Sequence, residues 1–302
     1  MNTYLAIDLG GTSIKFGVLD RDFSFLKKGA VPARISSREE FFEDIQSIFD
    51  TCGRGCEGLA VSMPGAIDRF RGFARSGGAY TWVKDENIAK TLYDRLGVPT
   101  AVCNDAKAAA LAEMYSGNLR GIRNGVALIL GTGVGGGCIV NGALLEGSHL
   151  KAGEFSFLRG EILPANNKDI FALYNGVQGL KDAIQEESGL ENVDGLEAFR
   201  LIKEEKNEAV LRGVRKFCGY LAFFVYTIQV IVDAERFVIG GGISSEAMLL
   251  DLVREAVEEK FQSALVPLIE LPEILPCRYR QDANLIGAVY NYLEVAEHSQ
   301  AD

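Results

Sequence analysis

The strongest constraint on the fold is a glycine hairpin written twice. Tyr4-Leu5-Ala6-Ile7-Asp8-Leu9 runs into Gly10-Gly11-Thr12 and out through Ser13-Ile14-Lys15-Phe16-Gly17-Val18-Leu19. Val126-Ala127-Leu128-Ile129-Leu130 runs into Gly131-Thr132-Gly133 and out through Val134-Gly135-Gly136-Gly137-Cys138-Ile139-Val140. Apolar, β-branched runs on both sides of a glycine turn predict a hairpin each time. Leu9-Gly10 lies over Leu130-Gly131 and Ala6 over Ala127, so the pattern of residue 10 returns at residue 131, 121 positions later. A repeat of that length predicts two related half-domains. Two such hairpins facing each other across a cleft would offer backbone N–H groups to phosphate. Two unrelated glycine hairpins are the alternative.

Between and after the repeats, strands alternate with helices, which predicts an α/β fold. Helical spacing over Arg38 to Thr51 follows Ser37, with Glu40 placed for a capping box. Gly58 to Ser62 and Pro99 to Cys103 read as short buried strands, and Ile88 to Leu96 as a helix. An Ala-rich helix runs from Asn104 to Ser116, with Asn104 or Asp105 at its edge. Further on, helices are expected over 168–186, 194–204, 207–231, 245–264 and 283–297, with a strand over Arg236 to Ile239. The 302 residues suffice for two cores. The expected division is a smaller N-terminal domain over 1–104, joined by the C-terminal helix of about 288–302, and a larger domain over 105–287.

Composition excludes other classes. A net charge of −10 argues against a nucleic-acid partner. The longest apolar stretch, Phe217 to Val232, contains Gly219, Thr227 and Gln229 and falls short of the roughly 20 residues a bilayer requires, so it reads as a buried helix. No membrane association, no signal peptide and a cytoplasmic location are expected. The six cysteines are scattered, with only Cys52 and Cys56 close in sequence, as for reduced thiols.

Several motifs carry candidate chemistry. In Asp8-x-Gly10-Gly11-Thr12-x-x-Lys15, the glycines let backbone approach an anion and Thr12 adds a hydroxyl. Asp8 is costly to bury alone, and a carboxylate beside phosphate makes sense if it holds Mg²⁺ or its water. Lys15 could meet a phosphate as a point charge. Gly131, Gly133 and Gly136 formally match a dinucleotide fingerprint, but that loop must open a helix. Here a strand follows, then the Asn141-Gly142 hairpin turn. Gly240-Gly241-Gly242 reads either as backbone against a flat ring or phosphate, or as a plain strand-to-helix turn. Asp105 is either a helix cap or a general base for a hydroxyl. Glu154, after Gly153, is either a solvated loop acid or an acceptor for sugar hydroxyls. His149 and His298 are the only histidines and lack a persuasive nucleophile.

Taken in order, Asp8-Leu9-Gly10-Gly11-Thr12, Ser62-Met63-Pro64-Gly65, Asn104-Asp105-Ala106, Leu130 through Gly137, Ala152-Gly153-Glu154, Gly240-Gly241-Gly242 and Leu285-Ile286-Gly287-Ala288 resemble the ROK family of bacterial sugar kinases. The resemblance covers residue 5 to about 290. It implies the actin-like ATPase (ribonuclease H-like) fold, two related domains around an ATP/sugar cleft, and a homodimer. It implies that Asp105 deprotonates the acceptor hydroxyl, that Asn104 and Glu154 bind sugar hydroxyls, and that Gly65 and Gly78 line the sugar. Asp8, Gly11, Thr12, Thr132 and Gly133 would form the phosphate and Mg²⁺ site, with Gly241 and Gly242 on the adenosine side.

The chain departs from that family in one stretch. Phe157 in Gly153-Glu154-Phe155-Ser156-Phe157 stands where many members carry a His, and no cysteine lies between Cys138 and Cys218, so no structural zinc is expected. An apolar ring there favours a less polar neighbour at that end of the sugar. Together with Ser76-Gly77-Gly78-Ala79-Tyr80, it resembles the β-glucoside kinase branch, which phosphorylates O6 of a glucosyl unit. Glucose, fructose, N-acetylmannosamine and N-acetylglucosamine kinases stay open as alternatives. From another class, so does a sugar sensor without catalysis. A ROK-type regulator would need a DNA-binding segment ahead of the first hairpin.

Overall fold

A computed structural model describes residues 2–161, 169–265 and 268–301. The chain forms two compact units, residues 1–117, 146–152 and 281–302 in the first and 118–145 and 153–280 in the second.

The first unit opens with β1 (Thr3–Leu9), β2 (Ser13–Asp20) and β3 (Phe25–Pro32), an antiparallel meander. Helix α1 (Arg38–Ile48) starts where Ser37 Oγ accepts the Glu40 N–H at 3.2 Å, and it runs into a π-helical turn at Phe49–Gly53 instead of ending at Thr51. β4 (Gly58–Met63) lies parallel to β1. A small antiparallel sheet follows from β5 (Ile67–Asp68), β6 (Phe73–Ser76) and β7 (Lys84–Asn87), then α2 (Ile88–Leu96), β8 (Thr100–Asn104) and α3 (Asp105–Ser116). Asn104, not Asp105, caps α3, its Oδ1 accepting the Lys107 N–H at 3.0 Å.

The second unit repeats the plan. β9 (Gly125–Leu130) and β10 (Val134–Val140) form the second glycine hairpin, and β11 (Ala143–Leu144) follows a tight turn in which Asn141 and Gly142 both take positive φ. That geometry suits the Asn-Gly pair and closes the dinucleotide reading, since β10 occupies the place of a helix. Helices α4 (Phe171–Asn175), α5 (Val177–Ser188), α6 (Gly195–Glu205) and α7 (Glu208–Val232) precede β12 (Arg236–Gly240), α8 (Ala247–Gln262) and β13 (Glu273–Pro276). The last helix, α9 (Ala283–Ala301), returns to the first unit.

The repeat is structural. The sheets run β3-β2-β1-β4-β8 and β11-β10-β9-β12-β13, each with a hairpin on one side of the central strand and parallel strands on the other. Leu9 pairs with Ile14 as Leu130 pairs with Val134. Leu5, Ile7, Leu9, Phe41 and Phe42 fill the first core, while Leu128, Leu130, Phe217, Leu221 and Phe224 fill the second. Among the described helices, α7 alone is long and apolar enough to cross a membrane, and half of its apolar window is buried inside the second unit. There it packs against α5 and α8, with Phe224 stacked on Phe171 at 4.0 Å.

Three expectations change. The first boundary falls after Gly117 rather than at 104/105, because α3 packs along α9. A side chain at Gly287 would strike the Ala108 carbonyl, so glycine there lets the two backbones touch. Residues 146–152 also join the first unit, held by Arg69 on Glu146 at 2.8 Å and by Lys107 Nζ on the Leu150 carbonyl at 2.9 Å. The helix expected over 168–186 is two helices. Lys168 lies outside the described residues, and the rest breaks at Gly176, where a side chain would meet the Thr132 carbonyl. The helix expected from 245 starts at Ala247, after a 3₁₀ turn at Gly242–Ser245.

Candidate active site

The candidate residues fall in both units, and each group is built within its own. In the first unit, β1 delivers Asp8 to the edge of the Gly10-Gly11-Thr12 turn. Asp8 is 8% exposed, and its Oδ1 accepts from Ser62 Oγ at 2.7 Å and from Asn284 Nδ2 at 3.0 Å. Two neutral donors hold a buried carboxylate without neutralising it. Among the described residues, Oδ2 accepts no hydrogen bond. Lys15 sits opposite Asp8 in the β1–β2 ladder and makes no ion pair among the described residues, so its ammonium is open to an anion. Gly10 N–H bonds to the Ser13 carbonyl at 3.0 Å, which closes the turn, and Tyr80 donates its hydroxyl to the Gly10 carbonyl at 3.0 Å. Burial pushes the Tyr80 phenol well above its ordinary range, so it stays a donor. Gly11 and Thr12 are exposed.

The same unit builds a second cluster at the C-terminal ends of β4 and β8. Asn104 is 7% exposed. Its Nδ2 donates to the Gly65 carbonyl at 3.0 Å while its Oδ1 caps α3, so one amide N–H remains for a ligand. Asp105 is the first residue of α3, half-exposed, with Oδ1 accepting the Ala106 N–H at 2.8 Å. Gly65 has φ +117°, and a side chain there would strike the Ser76 carbonyl. Gly78 has φ +58°, and its added carbon would lie 2.7 Å from the Pro64 ring. Both are glycine because the 64–66 and 76–78 loops touch with no room for a side chain.

In the second unit, Thr132 is exposed at the tip of the β9–β10 turn, closed by Gly131 N–H on the Gly133 carbonyl at 2.9 Å. Val177 N–H, at the start of α5, donates to the Gly131 carbonyl at 2.9 Å. The helix break at Gly176 thus abuts the turn. Gly241, at φ +94°, crosses the Leu130 carbonyl so closely that no side chain would fit, and the exposed Gly242 follows. Glu154 is half-exposed and opens a 3₁₀ turn, Phe155–Phe157. Phe155 is buried over Gly136, and Phe157 is 68% exposed.

Residues 162–168 lie outside the described residues. On either side, the buried Asp169 accepts the Glu161 N–H at 2.7 Å and the Tyr174 hydroxyl at 2.8 Å. Burial opposes its charge, but these bonds outweigh it and hold the carboxyl below its ordinary range. No group of three or more His, Cys, Asp or Glu side chains arranged to hold a metal occurs among the described residues.

Sequence reasoning assigned no role to Ser62, Tyr80, Ser156 or Asn284. Ser62 opens a quoted motif and Asn284 precedes one, yet their bonds to Asp8 span 54 and 276 positions, which no local pattern reveals.

Comparison with known proteins places this geometry in a class. The ROK family model matches residues 4–294, and the chain belongs to that family. A β-glucoside kinase of Klebsiella pneumoniae is 28% identical over 291 residues, covering 95% of each chain. A glucokinase of Streptomyces coelicolor is 26% identical, covering 95% of this chain and 96% of its own. A ROK family protein of Streptococcus pneumoniae TIGR4, solved with sucrose, superposes with a TM-score of 0.85 at 26% identity, covering 99% of each chain. The fold is shared with a Streptomyces griseus ROK glucokinase solved with glucose and AMPPNP, at TM-score 0.81 and 21% identity over 95% of this chain and 98% of that one. The fold is the actin-like ATPase fold, and the chain is a carbohydrate kinase of the ROK family.

Proposed function

We propose that this kinase transfers the γ-phosphoryl group of ATP to O6 of a hexose or β-glucoside, with Asp105 as general base. The observation that carries the proposal is the placement of Asp105 at the first turn of α3, beside an Asn104 amide locked to the Gly65 carbonyl. The carboxylate takes the hydroxyl proton as the sugar oxygen attacks the γ-phosphorus, and the β–γ bridging oxygen leaves with ADP. Such reactions depend mainly on positioning and charge neutralisation. Asn104 and Glu154 would hold sugar hydroxyls, with Gly65 and Gly78 giving the sugar a backbone wall. The glycine turns at Gly10–Thr12 and Thr132–Gly133, with Lys15, would cradle phosphate, and Gly241 and Gly242 would flank the adenosine.

Asp8 keeps one oxygen open while two neutral donors fix the other, so its carboxylate would hold a Mg²⁺ or one of that ion's waters. Bound there, Mg²⁺ would neutralise charge on the transferring phosphoryl group. ATP as donor, cysteines outside any disulfide among the described residues and a phosphorylated product fit a cytoplasmic setting. A homodimer is the proposed assembly, with exposed Val230, Ile231, Leu265 and Leu268 as apolar surface for a second copy to cover.

The exposed Phe157, three residues past Glu154, supports a β-glucoside over a free hexose, because an apolar ring offers an aglycone a stacking surface. The test is coupled ADP release with MgATP over glucose, fructose, N-acetylmannosamine, N-acetylglucosamine, cellobiose, gentiobiose and an aryl β-glucoside. Preference for the β-glucosides is expected. Preference for a free monosaccharide overturns the role of Phe157. Absence of turnover with every sugar overturns catalysis in favour of a sensor.

A further inference from the structure

Val134 is the first residue after the Thr132–Gly133 turn. In an antiparallel strand, the N–H and C=O of one residue point to the same side. Both groups of Val134 are taken by one side chain. Ser156 Oγ accepts the Val134 N–H at 3.2 Å and donates to the Val134 carbonyl at 2.9 Å. Both therefore face away from β9, toward the edge of the sheet. β11 pairs only with Ile139 and Val140, so it does not reach the start of β10. Ser156 stands in for the missing strand there, and a single hydroxyl completes the edge.

The clamp is tight on the turn itself. A side-chain carbon at Gly133 would lie 3.2 Å from Ser156 Oγ and 3.5 Å from Ala172 Cβ. Ser156 is also the central residue of the 3₁₀ turn that begins after Glu154. That turn is seated independently, by Phe155 over Gly136 and by the Gly153 backbone over Gly137. One hydroxyl thus joins the segment bearing Glu154 to the turn bearing Thr132.

We infer that Ser156 is a positioning residue that fixes the Thr132–Gly133 turn for nucleotide phosphate. The inference rests on the proposed role of that turn in holding ATP. The hydroxyl touches no reacting atom and acts through Val134, by keeping the turn from fraying at the sheet edge.

The experiment compares wild type, Ser156→Ala and Thr132→Ala in full steady-state kinetics with MgATP and whichever sugar the wild type accepts. Hydrogen exchange of a peptide spanning 131–136 is followed in parallel. Loss of the two clamp bonds is expected to raise KM for MgATP about five- to tenfold. KM for sugar should stay within about twofold, because Phe155 still seats the Glu154 turn. Exchange at 131–136 should accelerate in Ser156→Ala. Unchanged KM for MgATP, unchanged exchange, or an equal rise in both KM values with a lowered melting temperature would each overturn the inference. If Thr132→Ala weakens MgATP and Ser156→Ala does not, the clamp fails alone. If neither does, the phosphate role of the turn fails first.

Discussion

Removing Ser62's hydroxyl probes the heart of the first unit. Ser62→Ala takes from Asp8 a 2.7 Å hydrogen bond made wholly inside the protein, since Ser62 is 0% exposed. A hydrogen bond to a charged group is worth about 1.5–3 kcal/mol, and a fully buried position gives bulk water no direct route to replace it. Asn284 still holds the same Oδ1 at 3.0 Å, so the carboxylate is loosened rather than released. At about 1.4 kcal/mol per factor of ten, kcat/KM for MgATP should fall roughly 10- to 100-fold. The apparent Mg²⁺ requirement should rise, because the open Oδ2 no longer points in a fixed direction. Asn284→Ala should act alike, and the double variant should lose more than the product of the two, since removing both donors releases an oxygen that either one alone still holds. The assay is ADP release as a function of Mg²⁺ at fixed ATP, with thermal melting as a control. A Ser62→Ala enzyme within twofold of wild type at every Mg²⁺ concentration would refute the assignment of Asp8 to the cation.

Two further perturbations follow from the same unit. Gly65→Ala combines a φ of +117° with a collision against the Ser76 carbonyl, so denaturant unfolding should show a loss of about 3 kcal/mol or more. A loss under about 1 kcal/mol would contradict the backbone contact. Glu294 is half-buried in a network around the buried Arg69, bonded twice to Arg69 at 2.8 and 2.9 Å and once to Tyr115 at 3.0 Å. Burial resists its charge, but Arg69 outweighs burial and holds the carboxyl below its ordinary 4.5. A lowered folded pKa means that the unfolded chain binds more protons, so this stabilisation is present above about pH 4.5 and is lost as pH falls below it. Glu294→Gln should therefore lose less stability than wild type between neutral pH and the acid limb in denaturant unfolding. Equal losses in the two proteins would refute the coupling.

The parts legible in the sequence were those written locally. Each glycine hairpin announces itself by apolar runs on both sides of Gly10 or Gly131, and their common spacing exposes the repeat. Ser37 and Asn104 cap helices three residues from the amides they satisfy, so short-range pattern suffices. What escaped was set by distant partners. Gly176 breaks a helix because the Thr132 carbonyl occupies its surroundings, and nothing in 168–186 encodes that neighbour. The short β5, β6 and β7 have too few residues for periodicity to register. Asn284 lies at the start of α9 and gains its meaning only when that helix folds back onto β1.

The most direct test follows phosphoryl transfer from [γ-³²P]ATP to sugar in wild type and Asp105→Asn under single-turnover conditions, with MgATP binding measured separately. Asparagine keeps the size of the side chain and its place at the start of α3 but cannot take a proton at neutral pH. Loss of about 10²- to 10⁴-fold in the transfer rate, with MgATP affinity kept within twofold, is the expected result. Transfer at the wild-type rate in Asp105→Asn would contradict the assignment of the base.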